Sequence, residues 1–163
     1  MKTRGLTSMA TVKSKRTDKK PVRKPSKKGI LDLADMLVHN MKKYDQNTYG
    51  EESSCGTVGC LAGFCLAEKI GARAYNKQAK NFVVGSDACI LAGKEKLKLK
   101  GPECPQIFDS VGSWPDDLYD EYERAESDKG RVIVALKALS RLRVDGRIGK
   151  KVLTNIPQLK QLQ

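Results

Sequence analysis

A single histidine, His39, serves all 163 residues, and it lies upstream of the cysteine-rich stretch of the chain. That scarcity excludes the usual order of a cysteine hydrolase, in which an imidazole base follows the nucleophile. Aromatic residues are absent before Tyr44, so the N-terminal region offers no platform on which single-stranded bases could stack. Acids are scarce at the same end, with Asp18 alone among the first 28 residues. No apolar run suits a signal-peptide core, and none approaches the ~20 residues of a membrane span. The chain is therefore read as soluble and intracellular, with no membrane partner. Five cysteines, an odd number, with no export signal point to reduced thiols rather than a disulfide framework.

Lysine and arginine fill the space the acids leave. Residues 1–28 carry eleven of them, a local charge of +10, so the +12 of the whole chain leaves only +2 for residues 29–163. The basic character belongs to an arm and not to the body. With few apolar residues and two prolines, that arm cannot bury enough surface to offset its ordering entropy and is expected to be disordered. Lys13, Lys15, Arg16, Lys19, Lys20, Arg23, Lys24, Lys27 and Lys28 are the candidate phosphate contacts. Such an arm binds nucleic acid with strong salt dependence and no sequence preference; the plainer reading is a solubilising tail.

From residue 29 the pattern is that of a single helical domain. Ile30, Leu33, Ala34, Leu37, Val38 and Met41 recur at helical spacing, with Asp32, Asp35, His39 and Lys42 on the other side, which makes His39 a surface residue. Tyr44 to Ser54 reads as a polar loop. A second helix, apolar nearly all round, is expected from a Thr57 N-cap to Ile70, closed by Gly71. Residues 72–85 give no clear pattern. Ser86 is expected to cap a short helix over Ala88–Ala92, and Lys94–Lys100 alternates charge with leucine in a way that fits either a strand or a helical turn. Pro105 opens a short helix through Ile107 and Phe108, Pro115 leads another whose apolar side is Leu118, Tyr119, Tyr122 and Ala125, and Ser127 caps a third whose stripe runs Val132, Ile133, Ala135, Leu136, Leu139, Leu142. The fold class is mainly α: one small helical domain, 29–163, behind a disordered arm, 1–28.

Cys55, Cys60 and Cys65 fall within eleven residues, and Cys55-Gly56-Thr57-Val58-Gly59-Cys60-Leu61-Ala62-Gly63-Phe64 is the densest signal in the chain. Three kinds of chemistry compete for it. As a nucleophile, Cys60 would use the unpaired amides and dipole of a helix start, with His39 as an upstream base. As a metal site, Cys55 and Cys60 form the best pair, with Cys65, Cys104 and His39 in reserve. Four-residue gaps are not the two-residue knuckles of zinc sites, however, and Cys60 and Cys65 stand about 140° apart on a helix. As packing, Cys-Gly-Thr is a turn feeding a buried helix, with Gly59, Ala62 and Gly63 admitting a close neighbour. This last reading is preferred, and no cofactor is implied.

The run Tyr44-Asp45-Gln46-Asn47-Thr48-Tyr49, the motif Cys55, Gly56, Thr57, Cys60, Ala62, Gly63, and the later Ile107-Phe108 and Trp114-Pro115 pairs together resemble a family of small uncharacterised proteins of tailed phages and bacteria. The resemblance spans about Ile30 to Gly146 and implies a mainly helical domain of viral or prophage origin, in the host cytoplasm if viral. It implies no reaction. Separately, Gly59-Cys60-Leu61-Ala62-Gly63-Phe64 resembles the cysteine turn of cell-wall peptidases, whose downstream histidine is missing here. Val144-Asp145-Gly146-Arg147-Ile148-Gly149-Lys150-Lys151 resembles the backbone-clamping loop of KH domains without the strands around it.

Three functional readings follow. The first is a non-enzymatic nucleic-acid binder working through its arm. The second is a protein-interaction module, such as a viral factor engaging a host protein, which requires an exposed apolar patch on the body. The third is a cysteine hydrolase or a small zinc-binding domain. Composition fixes neither a specific partner nor an oligomeric state.

Overall fold

The computed structural model describes residues 24–47, 51–53, 56–80, 85–101 and 103–163. The expected disorder of the arm falls on residues outside this set, apart from its last few. The described chain is mainly helical: α1 (Lys27–His39), a 3-10 turn (Met41–Lys43), strands β1 (Glu51–Ser53) and β2 (Gly56–Val58), α2 (Leu61–Ile70), α3 (Ala72–Lys80) and α4 (Ser86–Leu97) come first. Two further 3-10 turns (Gln106–Phe108 and Val111–Ser113), α5 (Asp116–Glu123), α6 (Asp128–Ser140) and α7 (Pro157–Leu162) complete it. α2 packs on α4, α1 lies across α2, α4 and α6, and α5 and α7 flank α6. The two strands form an antiparallel hairpin with Glu52 opposite Thr57.

Apolar spacing placed the principal helices well. Ile30, Leu33, Ala34 and Leu37 of α1 have no exposed surface, and neither do Val132, Ala135, Leu136 and Leu139 of α6. Ser127 caps α6 through a bond from Gly130 N to its Oγ at 3.1 Å, and Gly71, at φ 88°, ends α2.

Several expectations are corrected. Thr57 is not a helix cap: it lies in β2, and α2 begins four residues later. α1 starts at Lys27, capped by Ser26 Oγ accepting from Gly29 N at 3.2 Å. Pro25 is already buried, so the folded body reaches back into the segment assigned to the arm, and Lys27 and Lys28 are helical. α3 occupies a stretch without clear periodicity. α4 continues through Lys94–Leu97, so the alternating lysines and leucines are helix and not strand. α6 stops at Ser140, and Leu142 then pairs with Ile148 in an isolated antiparallel bridge. Gly146 turns that bridge at φ 78° with Pro105 packed against it. It is a buried turn residue and not part of a nucleotide clamp.

Within the run expected as a polar loop, the described residues depart from that expectation: Glu51–Ser53 form β1, and Gln46 is 1% exposed. Its Nε2 donates to the carbonyls of Ile107 (3.2 Å) and Asp109 (2.9 Å). Its Oε1 accepts from Tyr44 OH (3.2 Å) and from Leu61 N (3.3 Å), while its own backbone N–H donates to Tyr122 OH (3.1 Å). Both amide donors and both lone pairs are thus used. Around this knot, Tyr44 stacks on Phe64 with centroids 6.3 Å apart, and Tyr122 meets Tyr44 and Trp114 edge-on at 6.4 and 6.0 Å. Trp114 Nε1 donates to the Gln106 carbonyl at 3.1 Å.

Replacing Gln46 by leucine keeps its volume but strands two carbonyls, a phenol and the first amide of α2, each costing on the order of 1 kcal/mol or more when buried. We expect Gln46→Leu to lower stability by about 3 kcal/mol, read as a drop in the urea midpoint at constant slope. A shift no larger than that of a surface control would contradict this.

Candidate functional site

The cysteine turn is fixed from upstream. Gly59 N donates to the Lys43 carbonyl at 2.8 Å and Asp45 N to the Gly59 carbonyl at 3.1 Å, a short parallel bridge joining Tyr44 to Gly59. The next residue, Cys60, is itself the N-cap of α2, with extended backbone and its Sγ accepting from Gly63 N at 3.4 Å. Its side chain has no exposed surface. Two effects oppose each other there. Amides of the helix start, those of Gly63 and Ala62, favour a thiolate, whereas enclosure favours the neutral thiol. Enclosure wins, and the Cys60 thiol is pushed up to about 11.

Cys65 and Cys89 are buried in the same region and respond alike. Burial raises both, Cys89 to about 12, and the neighbouring thiols add to the effect. Tyr75 of α3 closes the cluster. Its hydroxyl sits over Gly63, 2.6 Å from where a Cβ would stand, and is enclosed without a hydrogen-bond partner among the described residues. Gly59 and Gly63 therefore have a packing reason: a side chain at either would meet the Tyr75 hydroxyl.

His39 is placed as a surface residue in the last turn of α1. Its Nδ1–H donates to the Asp35 carbonyl at 2.7 Å on its own helix, and it makes no hydrogen bond to Cys60. A thiol held protonated and a histidine engaged on an exposed helix face do not constitute a nucleophile and base. The candidate catalytic pair Cys60 and His39 is not assembled. Cys55 lies outside the described residues. Among those described, no three His, Cys, Asp or Glu side chains are grouped so as to hold a metal ion.

A cleft of about 310 Å³ opens between the end of α1, α2 and α3, lined by Met36, Phe64, Ala67 and Tyr75 with Asn40, Lys43 and Glu68. Neither Cys60 nor His39 lines it. Large exposed apolar side chains among the described residues are Leu91, Tyr119 and Val152, which stand on α4, α5 and the loop before α7. They stand on three different elements. No helix of the described residues is long and apolar enough to cross a membrane.

Of the arm's candidate contacts, Lys13, Lys15, Arg16, Lys19, Lys20 and Arg23 lie outside the described residues. Lys24 and Lys27 are exposed. Lys28 is hydrogen-bonded to Asp32 at 2.6 Å, which raises the lysine and lowers the carboxylate, so its charge is shared and not free. The residues that organise this region, Gln46 and Tyr75, do not stand out as site residues in the sequence. A lone glutamine in a polar run and a tyrosine on an otherwise polar helix carry no periodic signal.

Burial sets a pH dependence. Between about 9 and about 11 the unfolded Cys60 ionises while the folded one does not; the folded state then holds more protons, and stability falls as pH rises. Urea midpoints measured across this window should decline steadily, with Cys65 and Cys89 adding in the same direction; a flat profile would contradict the buried thiols. A second check is alkylation of the native protein followed by peptide mapping. Among Cys60, Cys65, Cys89 and Cys104, only the exposed Cys104 should label quickly.

In comparison with known proteins, no family model, curated protein or solved structure matches the chain.

Proposed function

We propose that this is a non-enzymatic, phage- or prophage-type helical protein that binds nucleic acid without sequence preference through its basic N-terminal arm. The observation that carries the reading is the charge asymmetry. Eleven bases against one acid in residues 1–28 stand beside a nearly balanced body of twenty bases and eighteen acids. An arm of that density displaces condensed counterions from a phosphate backbone, and the entropy of their release drives association. Fully enclosed Cys60 and outward His39 support leaving the cysteine motif to packing, which removes the need for a substrate.

The test keeps the chain at full length and replaces Lys13, Lys15, Arg16, Lys19, Lys20 and Arg23 by glutamine. Truncation at residue 28 would remove the Ser26 cap and two residues of α1, confounding folding with binding. The unaltered chain should bind a generic duplex with an affinity that falls steeply with salt. Each side chain that no longer neutralises a phosphate should reduce the slope of log K against log salt by about 0.9, so the six-fold variant should show a slope shallower by up to about 5. An unchanged slope and affinity would overturn the arm as the binding element.

A further inference from the structure

Three segments distant in sequence meet at one end of the folded body. Ser26 N donates to the Leu97 carbonyl at 2.8 Å, and Gly29, with no side chain, lets the start of α1 lie directly on the Lys96 carbonyl. This sets the root of the arm beside the end of α4. Lys100 N donates to the Val144 carbonyl at 2.6 Å, fixing the chain that leaves α4. Lys24, Pro25 and Lys27 share a cleft of about 160 Å³ with Leu153, Thr154 and Asn155, and that loop is held by Leu153 N and Thr154 N, both bonded to the Ser140 carbonyl at 2.7 and 3.0 Å. Lys150 and Lys151 immediately precede it.

The result is a gathering of lysines: Lys24, Lys27, Lys98, Lys100, Lys150 and Lys151, all exposed. None makes an ion pair among the described residues. Several acids nearby are engaged with other bases, Asp32 with Lys28 and Lys96, Glu68 with Lys96, Glu95 with Lys69, and Asp145 with Arg143 at 3.2 Å, and Glu103, three residues after Lys100, pairs with none of the six. The six positive charges thus have no ion-pair partner among the described residues, on backbone anchored by the bonds just named.

Lys98 adds a second, independent observation. It is the one non-glycine residue with positive φ among those described, at φ 52° and ψ 43°, and it closes α4 in the left-handed conformation. Glycine or asparagine ordinarily fills such a cap, because a Cβ there crowds the following carbonyl oxygen. Lysine is a poor choice for the backbone and a good one for a surface that needs charge at that point.

We infer that this end of the body is a second, preformed phosphate-contact surface, which together with the arm grips the backbone of a double-stranded nucleic acid. The inference rests on the proposed arm function and extends it to a folded face. Duplex is favoured over single strand because neither the arm nor the segments 24–28, 98–101 and 150–155 contains an aromatic residue. Single-strand binders draw much of their affinity from stacking bases on aromatic rings. A duplex instead presents the denser line of phosphates that clustered point charges can neutralise.

Two full-length variants separate the face from the arm. In the face variant, Lys98→Asn, Lys100→Gln, Lys150→Gln and Lys151→Gln are combined; in the arm variant, the six glutamine replacements above are used. Each is titrated by fluorescence anisotropy against one duplex and a single strand of equal length over a salt series. The face variant should lose about 2–4 in salt slope and about tenfold or more in duplex affinity, the arm variant should retain weakened duplex binding, and the parent should prefer duplex. Thermal melts confirm folding; if the four-fold variant does not fold, Lys150→Gln with Lys151→Gln, both in an exposed loop, gives a loss of about 1–2 in slope instead. Face-variant binding equal to the parent, with the arm variant inactive, would overturn the face and leave the arm standing. Preference for the single strand would overturn the duplex assignment, and no binding by the parent would overturn both readings.

Discussion

The side-chain amide of Gln46 is the interaction on which the arrangement of elements depends. It has no helix or sheet ladder to join, yet it meets the first amide of α2, the carbonyls on either side of Phe108 and a phenol from the Tyr44–Phe64 stack. Its own backbone amide reaches Tyr122 of α5. A buried primary amide with every donor and acceptor met specifies geometry where an apolar residue would only fill space. Helices packed by hydrophobic stripes alone can slide; this knot fixes where the segment after α1, the start of α2 and the turns around Phe108 stand relative to one another.

That knot also explains why the densest sequence signal is structural. Tyr44, Gln46, Cys60, Phe64, Ile107 and Trp114 belong to the separate pieces that suggested a family resemblance, and the fold brings them to one neighbourhood. Around Cys60, the electrostatics of a helix start and the cost of enclosure act in opposite senses. For a thiol with no exposed surface the second dominates. A cysteine at a helix N-terminus is therefore not sufficient for reactivity. Exposure decides, and among the described cysteines Cys104 is the exposed one.

Where burial follows a helical period, the sequence was readable. α1 and α6 each present four fully enclosed apolar residues at the expected positions, and the serine cap of α6 followed from a local rule. Gly71 ended α2 as foreseen. The surface position of His39 was legible from its acidic and basic neighbours on the same helix side. Thr57 was misread because threonine serves equally as a helix cap and as a strand residue, and only pairing with Glu52 across the hairpin decides between them. α3 escaped notice because Tyr75 alone among its fully described residues is buried, so there is no stripe to detect. Gln46 was unreadable in principle. Its partners lie up to 63 residues away along its side-chain bonds, and no local pattern encodes a long-range hydrogen-bond set. The basic end of the body is legible only in part: Arg147, Lys150 and Lys151 stand together as a basic run able to add phosphate contacts beside the arm, whereas the meeting of three short segments that supply the other lysines has no local pattern.

The attachment of α3 has a consequence of its own. Among its fully described residues α3 buries Tyr75 alone, seated on two glycines with its hydroxyl unpaired among the described residues, so few of those residues hold it to the core. It follows Gly71, whose φ of 88° gives the chain a pivot at its first turn. In the hierarchy of local openings that every fold possesses, a helix with so little buried surface belongs to the shallow steps, and the glutamine knot to the deep ones. The protein thus has a rigid centre and a loosely moored flank, and the two are separable.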